Sequence, residues 1–300
     1  MKRIVLSVLL GLGIAAKAQI LMPLFPNAEE INKVKSGKLI VALMDTTDKR
    51  FVFAREYNNN LLYAMKNRWT LCTYEFAPIA SVVEMKEAGD DVYFMVPTET
   101  ETINMNAKPF ARDAFSTSLS YITIGKAKDL KVKKKLLGNN YAVLYNKPIL
   151  QSITGSYDFI SVLTAVKEIQ DRALYVTGTK EEKSAANAKL RVASDLRNKT
   201  LLLDKGILAK DMNEAAVKAI YHYPFKIVSS DEILKALRNK ENDKAFLQTE
   251  PMSADKAIDY LFVKSCGDLN YMIAIGSDRG KAIGEKKLAE INELTSREKK

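Results

Sequence analysis

The sequence predicts an α/β protein made of two tandem copies of a β-α-β-α-β-β unit, with helices packed on mixed sheets and a helical connector between the copies. Continuous apolar runs of strand length alternate with segments whose apolar residues recur every three or four positions. The same order of elements returns after about 150 residues, as expected for an internal repeat. The apolar fraction of 47% and the charged fraction of 27% are ordinary for a globular chain able to bury a core.

The clearest pair of matching stretches is Ala88–Glu99 and Glu241–Glu250. Each contains an acidic turn, an apolar run and a Thr-Glu pair, and Phe94 in the first run corresponds to Phe246 in the second. Apolar runs of this length, bounded by turn residues, are typical of strands buried on both faces of a sheet. We therefore place the third strand of each copy here.

The elements of the first copy follow from local signals. Asn27 can cap a short helix whose first turn holds Glu29 and Glu30, where negative charge is favourable. Pro78 is suited to the start of a helix, and Gly89 to its end. The predicted order is helix 28–35, strand 38–45, helix 57–68, strand 70–76, helix 79–87, strand 92–96 and an antiparallel edge strand 120–124.

The second copy repeats this order from about residue 186. Ser229 precedes an acidic first turn and predicts a capped helix, because a serine side chain can accept from first-turn amides. The predicted elements are helix 186–196, strand 200–203, helix 213–221, strand 225–228, helix 231–238, strand 245–248 and strand 271–276. We align this last strand with strand 120–124 of the first copy.

The connector contains one amphipathic helix, predicted over 157–176. Its apolar residues recur with helical spacing and form one face, and its polar face carries Glu168 and Asp171. A helix that binds a membrane surface would be more basic. We therefore expect this helix to pack across the two copies.

Residues 1–18 have the features of a secretory signal peptide. Lys2 and Arg3 precede a short apolar run, and Ala16-Lys-Ala18 supplies the small-x-small cleavage pattern before Gln19. The apolar run is shorter than a membrane span, which disfavours an uncleaved anchor. An Ala-x-Ala site followed by Gln resembles exported proteins of the Bacteroidota. We expect a periplasmic or secreted protein with no transmembrane segment after cleavage.

These signals predict the domain boundaries: 1–18 signal peptide, 27–138 first copy, 139–185 helical connector and 186–300 second copy. Export permits a disulfide between the two cysteines, Cys72 and Cys266. The alternative is two buried, unpaired thiols, which we favour because a core of this size does not need a disulfide.

Few residues in the chain point to a reaction. The single histidine, His222, has no nucleophile elbow of the Gly-x-Ser-x-Gly kind to serve, and one histidine with two scattered cysteines does not match the spacing of a zinc site. The formal net charge of +10 is partly local, in the lysines of 126–135, with no interleaved aromatic residues. We therefore expect no cofactor, no metal and no nucleic-acid partner.

One set of carboxylates is a candidate ligand site. Asp45 and Asp204 follow the first strand of each copy, and Glu99 and Glu250 follow the third. If these strands are parallel, all four lie at the carboxyl ends of the strands, where open α/β sheets bind ligands. Calcium or a cationic ligand would suit such oxygens. The alternative is that polar residues mark the points where strands leave the core.

The order of elements resembles that of small α/β domains of exported assembly proteins, such as the amino-terminal domain of TolB or the curli-secretion lipoprotein. The resemblance carries over no site residue, and this chain lacks the lipid-attachment cysteine of the lipoprotein. With export and the repeat, it implies a non-enzymatic protein that works through contacts with an envelope protein partner. The alternative function is a small-ligand or cation binder, or a hydrolase, using the four carboxylates.

Overall fold

A computed structural model of the chain describes residues 28–48, 54–87, 92–102, 117–126, 131–133, 136–138, 143–149, 159–189, 193–251, 258–278 and 281–297. The helices are α1 (Ala28–Ser36), α2 (Ala54–Arg68), α3 (Ile79–Glu87), α4 (Phe159–Thr177), α5 (Lys180–Lys189), α6 (Glu214–Ile220), α7 (Ser230–Arg238) and α8 (Glu285–Ser296), with a 3₁₀ helix at Ala193–Asn198. The strands are β1 (Lys38–Leu43), β2 (Thr73–Pro78), β3 (Tyr93–Thr102), β4 (Thr117–Lys126), β5 (Lys131–Lys133), β6 (Leu136–Gly138), β7 (Val143–Ile149), β8 (Thr200–Asp204), β9 (Phe225–Val228), β10 (Lys244–Pro251), β11 (Ile258–Ser265) and β12 (Tyr271–Asp278).

The first sheet has the strand order β2-β1-β3-β4-β7, and the short pair β5 and β6 joins it through β3. Strand β1 is parallel to both β2 and β3, whereas β4 is antiparallel to both β3 and β7. Helices α2 and α3 make the two crossovers between parallel strands, as such connections require. The sheet is therefore mixed, as predicted.

The second sheet has the order β9-β8-β10-β11-β12 and the same sequence of strand directions. Phe94 lies opposite Ile40 in the first sheet, and Phe246 lies opposite Leu202 in the second. Each sheet also has a register shift between its last two antiparallel strands, after Ile124 in β4 and after Val263 in β11. The two sheets thus share one topology, including the position of this irregularity.

The two sheets enclose a central layer of helices formed by α1, α2, α4 and α7. Alternate residues of β1 face opposite sides: Leu39 and Val41 belong to the central core, while Ile40 and Ala42 pack with Val82 of α3 on the outer side. This alternation follows from the two-residue period of a strand. Both faces of the first sheet are therefore apolar, which explains its continuous apolar runs.

The outer side of the second sheet is covered by α6, α8 and the 3₁₀ helix. Val217, Leu288 and Ile291 from these helices join the alternate residues of β8 and β10 in a separate core cluster. Helix α7 lies on the opposite side, where Ile233 and Leu237 are part of the central core. The layers therefore run helix, sheet, helix, sheet, helix.

Helix α4 lies between the two sheets, as the amphipathic pattern of 157–176 predicts. All residues from 161 to 166 are buried, so the helix is covered on more than one side. Its apolar residues share one core cluster with both β1 of the first sheet and Phe246 of the second. The helix thus contributes to the contact between the sheets.

Several predicted elements differ from the structure. Strand β7 lies within the predicted helical connector 139–185 and pairs with β4, so β4 is not an edge strand. The predicted helix 186–196 is divided, since α5 ends at Lys189 and a 3₁₀ helix begins at Ala193. The alignment of β12 with β4 was also wrong. Strand β4 lies next to β3, and in the second sheet the strand in the equivalent place next to β10 is β11, not β12.

Strand β11 and helix α8 were not predicted, and both have weak local signals. In β11, Asp259 and Lys264 interrupt an otherwise apolar segment, so it has neither clean alternation nor a continuous apolar run. Helix α8 buries only a narrow stripe that includes Leu288 and Ile291. Tertiary contacts override such weak local signals.

The predicted signal peptide, 1–18, lies outside the described residues. Across the ranges given above, no helix combines the length and the apolar character needed to cross a membrane.

A buried asparagine fixes the end of β1 to α2, and its removal should destabilise the fold. Asn58 Oδ1 accepts from the Met44 backbone N–H at 2.9 Å, and its Nδ2 donates to the Met44 carbonyl at 2.9 Å. Asn58→Ala leaves both backbone groups unpaired in the core, and we expect a loss of about 1–3 kcal/mol in the free energy of unfolding. Urea denaturation measures it. The exposed neighbour gives the control, since Asn59→Ala should change stability by less than about 0.5 kcal/mol. Equal effects of the two substitutions would contradict this role.

Candidate functional site

The predicted carboxylate Asp45 closes its own turn. Its Oδ1 accepts from the Thr47 backbone N–H at 2.8 Å and from the Thr47 hydroxyl at 2.7 Å. These hydrogen bonds hold the pKa of the exposed Asp45 carboxyl below its usual range. The arrangement is a local Asx turn after the strand, the type of role that the alternative interpretation assigned to it.

Asp204 has a similar role after β8. Its Oδ1 accepts from the Gly206 backbone N–H at 2.8 Å, and its Oδ2 accepts from the Ser230 hydroxyl at 2.5 Å. Ser230 begins α7, so Asp204 joins the end of one strand to the start of a helix of the next crossover. Asp45 therefore binds a turn next to the first sheet, and Asp204 binds a turn and a helix next to the second.

The two predicted glutamates lie inside longer strands than expected. Strand β3 continues to Thr102, and Glu99 is paired with Ser120 of β4. Strand β10 continues to Pro251, and Glu250 is paired with Tyr260 of β11. Counted from the matching phenylalanines, Glu250 comes one position earlier than Glu99. The two therefore do not occupy equivalent places in their strands.

The described contacts do not join the four carboxylates into one site. The side chain of Glu99 lies outside the described part of the chain, while Asp45 binds Thr47 beside the first sheet and Asp204 binds Ser230 beside the second. Within the described ranges, no group of three or more His, Cys, Asp or Glu residues is arranged to hold a metal ion.

Glu250 instead belongs to a buried group that we call the ammonium cluster: Lys264, Glu168, Glu250 and Tyr271. Lys264 Nζ lies 2.8 Å from Glu168 Oε1 and 2.6 Å from Glu250 Oε1. The Lys264 side chain is 0% exposed, and the glutamates are 12% and 7% exposed. The Tyr271 hydroxyl donates to the same Glu168 oxygen. This cluster is the most enclosed charged group in the described part of the chain.

Aromatic rings cover the remaining sides of the ammonium group. Lys264 Nζ lies 4.3 Å from the centre of the Tyr271 ring and 5.4 Å from that of Phe262. The Phe262 and Tyr271 rings are 4.7 Å apart, and Tyr260 stacks on Phe262 at 5.7 Å. A cation over aromatic faces is stabilised electrostatically, more so when it is removed from water.

The ammonium cluster connects elements that are distant in sequence. Glu168 comes from α4, whereas the other members come from β10, β11 and β12 of the second sheet. Close to it, Gln248 of β10 donates to Thr164 of α4 at 3.2 Å. An isolated buried charge is very unfavourable, so each member depends on the others being in place. The ion pairs and hydrogen bonds of the cluster therefore hold α4 against the second sheet.

Arg68 makes a second polar contact between the two halves of the molecule. It is 8% exposed, and its guanidinium donates to the Gly267 carbonyl at 2.5 Å and to the Leu237 carbonyl at 3.2 Å. Leu237 is in the last turn of α7, where carbonyls carry partial negative charge. A Cβ on Gly267 would lie 1.7 Å from Asn242 Oδ1 and 3.2 Å from Asn242 Cα, so a larger residue would displace Asn242.

Both cysteines are free in the structure. Cys266 is buried in the central core, and Cys72 is half-buried against the same core. Burial raises the pKa of the Cys266 thiol to about 12 and also raises that of Cys72. Because the thiolate is the reactive form, both thiols are poor nucleophiles.

Glu250 was predicted as a candidate ligand residue, but its partners were not predicted. Glu168 was assigned to the polar face of the connector helix, and Lys264 lay in a strand that was not predicted. A usable signal was present, since a lysine that directly follows the apolar residues Leu261, Phe262 and Val263 needs a counter-charge if it is buried with them. Only the fold shows that Glu168, about 100 residues earlier, supplies it.

A smaller cluster joins α1 to the first sheet. Glu30 accepts from the Tyr93 hydroxyl and lies 3.1 Å from Lys126 Nζ. These partners, the tyrosine first, lower the pKa of Glu30 to about 2. Burial and the bond to Glu30 raise the pKa of Tyr93 to about 12.

Comparisons with known proteins assign no family to the chain: no family model, no curated protein and no solved structure matches it significantly. The likeness to exported assembly domains in the order of elements therefore stays a prediction.

Removing the central charge of the ammonium cluster should be strongly destabilising. Lys264→Met removes the ammonium group that both buried carboxylates contact, and we expect a loss of about 3–5 kcal/mol in the free energy of unfolding. Combining it with Glu168→Leu and Glu250→Leu should recover most of that loss, because an apolar trio needs no pairing. Urea denaturation compares the variants. As a control, Lys226→Met removes an exposed pair with Glu232 and should cost less than about 1 kcal/mol. A mild effect of Lys264→Met alone would show that the cluster does not clamp the sheets.

The Glu30 cluster predicts a loss of stability in acid. Because the pKa of Glu30 is lowered from 4.5 to about 2, its contribution is complete above pH 4.5 and is lost as the pH falls towards 2. Over this range the wild type should lose about 1 kcal/mol more than Glu30→Gln, allowing for partial exposure. Thermal unfolding at pH 5, 3.5 and 2 measures the difference. The exposed neighbour variant Glu29→Gln should follow the wild type, and identical profiles for wild type and Glu30→Gln would refute the assignment.

Proposed function

We propose that this chain is an exported, non-enzymatic protein that acts through contacts with other proteins of the cell envelope. Three features support the proposal: the signal-peptide pattern of residues 1–18, the use of the charged clusters for internal contacts, and the presence of two sheets of like topology docked on each other. Modules that dock through side-chain contacts are typical of proteins that work by binding.

The observation that carries the proposal is the docking of one unit on another of the same topology. We propose that 28–177 and 193–297 are diverged copies of one unit, each with a helical element before its first strand and a helix after its last. The matching strand orders and the matching register shifts support a common origin, since β-bulges persist within families. On this proposal α4 and α8 are counterparts, and α4 ends the first unit.

The two units are stacked in the same orientation. Helix α2 follows the first strand of its unit and lies in the central layer, whereas its counterpart α6 lies on the outer side. Helix α7 lies in the central layer, whereas its counterpart α3 lies outside. The face of the first unit that meets the second is therefore not the equivalent face of the second unit. Such a contact is heterologous, as in the binding of one module to a different protein surface.

The alternative function is a small-ligand or cation binder, or a hydrolase, that uses Asp45, Glu99, Asp204 and Glu250. Its weakness is that Asp45 and Asp204 are engaged in their own turns and Glu250 is bonded to Lys264. A ligand would have to displace these partners, which makes the alternative less favourable.

Affinity purification from cross-linked cells tests the proposal. A tagged full-length protein should recover the same envelope protein reproducibly, whereas a matched chain that starts after residue 18 should not, because it stays in the cytoplasm. Recovery of the tagged protein alone from both would contradict the proposal.

Titration calorimetry with calcium tests the alternative: heat that disappears in Asp45→Ala would favour a cation site.

A further inference from the structure

The junction between the two units is a short break between two helices. Helix α4 ends at Thr177, and α5 begins at Lys180. The Thr179 hydroxyl accepts from the Glu182 backbone N–H at 3.2 Å, and Glu182 Oε2 accepts from the Thr179 backbone N–H at 2.7 Å. This reciprocal pair is a capping box, which starts α5 as a separate helix. The break is therefore defined by this capping box, and the Thr177 hydroxyl before it accepts from Lys35 Nζ at 3.2 Å.

The first turns of α5 contribute little to the contact between the units. Residues 180–185 are exposed except for the half-buried Lys183, and the sequence of the helix is mainly polar. These solvated turns act as a spacer rather than as part of a core. The described contacts that fix the arrangement of the units come from the surfaces that meet.

The surfaces of the two units that meet are complementary, and their contacts do not involve residues of the junction. The first unit contributes Arg68 and Glu168, which bind the Leu237 carbonyl and Lys264 of the second unit. Lys240 adds a donor to the Asn67 carbonyl at 3.1 Å, and the Tyr63 hydroxyl donates to the Arg238 carbonyl at 3.4 Å. Apolar residues of α7 complete the contact. Any second unit presented to this surface would make the same contacts.

We propose that the α2–α4 surface of the first unit also binds the second unit of another copy of this chain, which gives a reciprocally exchanged dimer. The hinge is Gly178-Thr179: when it straightens, α4 and α5 become one helix of about 46 Å, and the second unit leaves its own partner surface. The exchanged dimer keeps the contacts between the units and loses only those at the hinge, so domain swapping needs only the hinge to change. This inference concerns copies of the chain and stands whether or not the proposed envelope partner exists.

Gly178 controls the balance between the two forms. A Cβ at this position would lie 2.9 Å from the Leu174 carbonyl oxygen and 3.2 Å from Glu182 Oε2, so the break accommodates glycine best. Within a continuous helix, by contrast, alanine is favoured over glycine by about fivefold. Gly178→Ala therefore disfavours the break and favours the straight form. Two hinges straighten in each dimer, so the dimerisation constant should rise by at least about 25-fold.

Size-exclusion chromatography with light scattering, over a series of protein concentrations, tests the hinge. Gly178→Ala should shift the midpoint of dimer formation to lower concentration, and Thr179→Ala, which removes the cap of α5, should act in the same direction. The control is Gly276→Ala, because a Cβ at Gly276 has no atom within 4 Å. If both hinge variants remain as monomeric as the control, the inference is wrong.

Isotope labelling distinguishes exchange from an ordinary surface contact. Unlabelled and ¹⁵N-labelled protein are mixed, unfolded and refolded together, and the dimer is treated with a lysine cross-linker. Exchange predicts links between Lys66 of one isotope and Lys240 of the other, since Lys240 lies against the residue after Lys66. If the dimer shows this link only within one isotope, the second unit has not been exchanged and the proposal fails.

Discussion

The enclosure of α4 between two sheets is the constraint on which the rest of the structure depends. A helix buried on several sides must either be apolar or have each polar group paired, because no water reaches it. The apolar residues of α4 join a core cluster that extends from α1 to β10. Its polar residues all find partners: the Thr164 hydroxyl donates to the Ile160 carbonyl at 2.8 Å, and Gln170 accepts from the Thr70 backbone N–H. One helix thus makes the two sheets a common core.

The ammonium cluster gives that contact its specificity. Apolar surfaces alone would allow two like sheets to slide or to meet through either face, whereas a buried charge tolerates only the position where its counter-charges lie. Lys264 lies opposite Phe246, and the position opposite the matching Phe94 is Gly125. The charge is therefore present in only one of two otherwise similar places. We interpret the cluster as the feature that determines which face of the second sheet docks. The free-energy cost of removing its charges from water is offset by the contacts among its four members.

Local signals predicted a large part of the fold. The prediction for α3 was correct at both ends, and the N-cap of α7 was predicted from Ser229. These elements depend on caps and on the spacing of apolar residues, which a short window contains. Strand β11 and helix α8 were not predicted, because their apolar residues become significant only when a sheet is present to bury them. The alignment of the last strands failed for the same reason.

The sequence by itself determined many of the helices and strands, and it predicted that the order of elements occurs twice. Propensity, caps and periodicity act between residues a few positions apart, so they can be read from the chain directly. Only the tertiary structure decided the registers of the strands, the faces that meet and the role of each carboxylate. Asp45 and Glu250 look alike in sequence, yet one closes an exposed turn and the other neutralises a buried lysine. That difference arises because burial and partners depend on residues far apart along the chain, whose distances only the folded molecule sets.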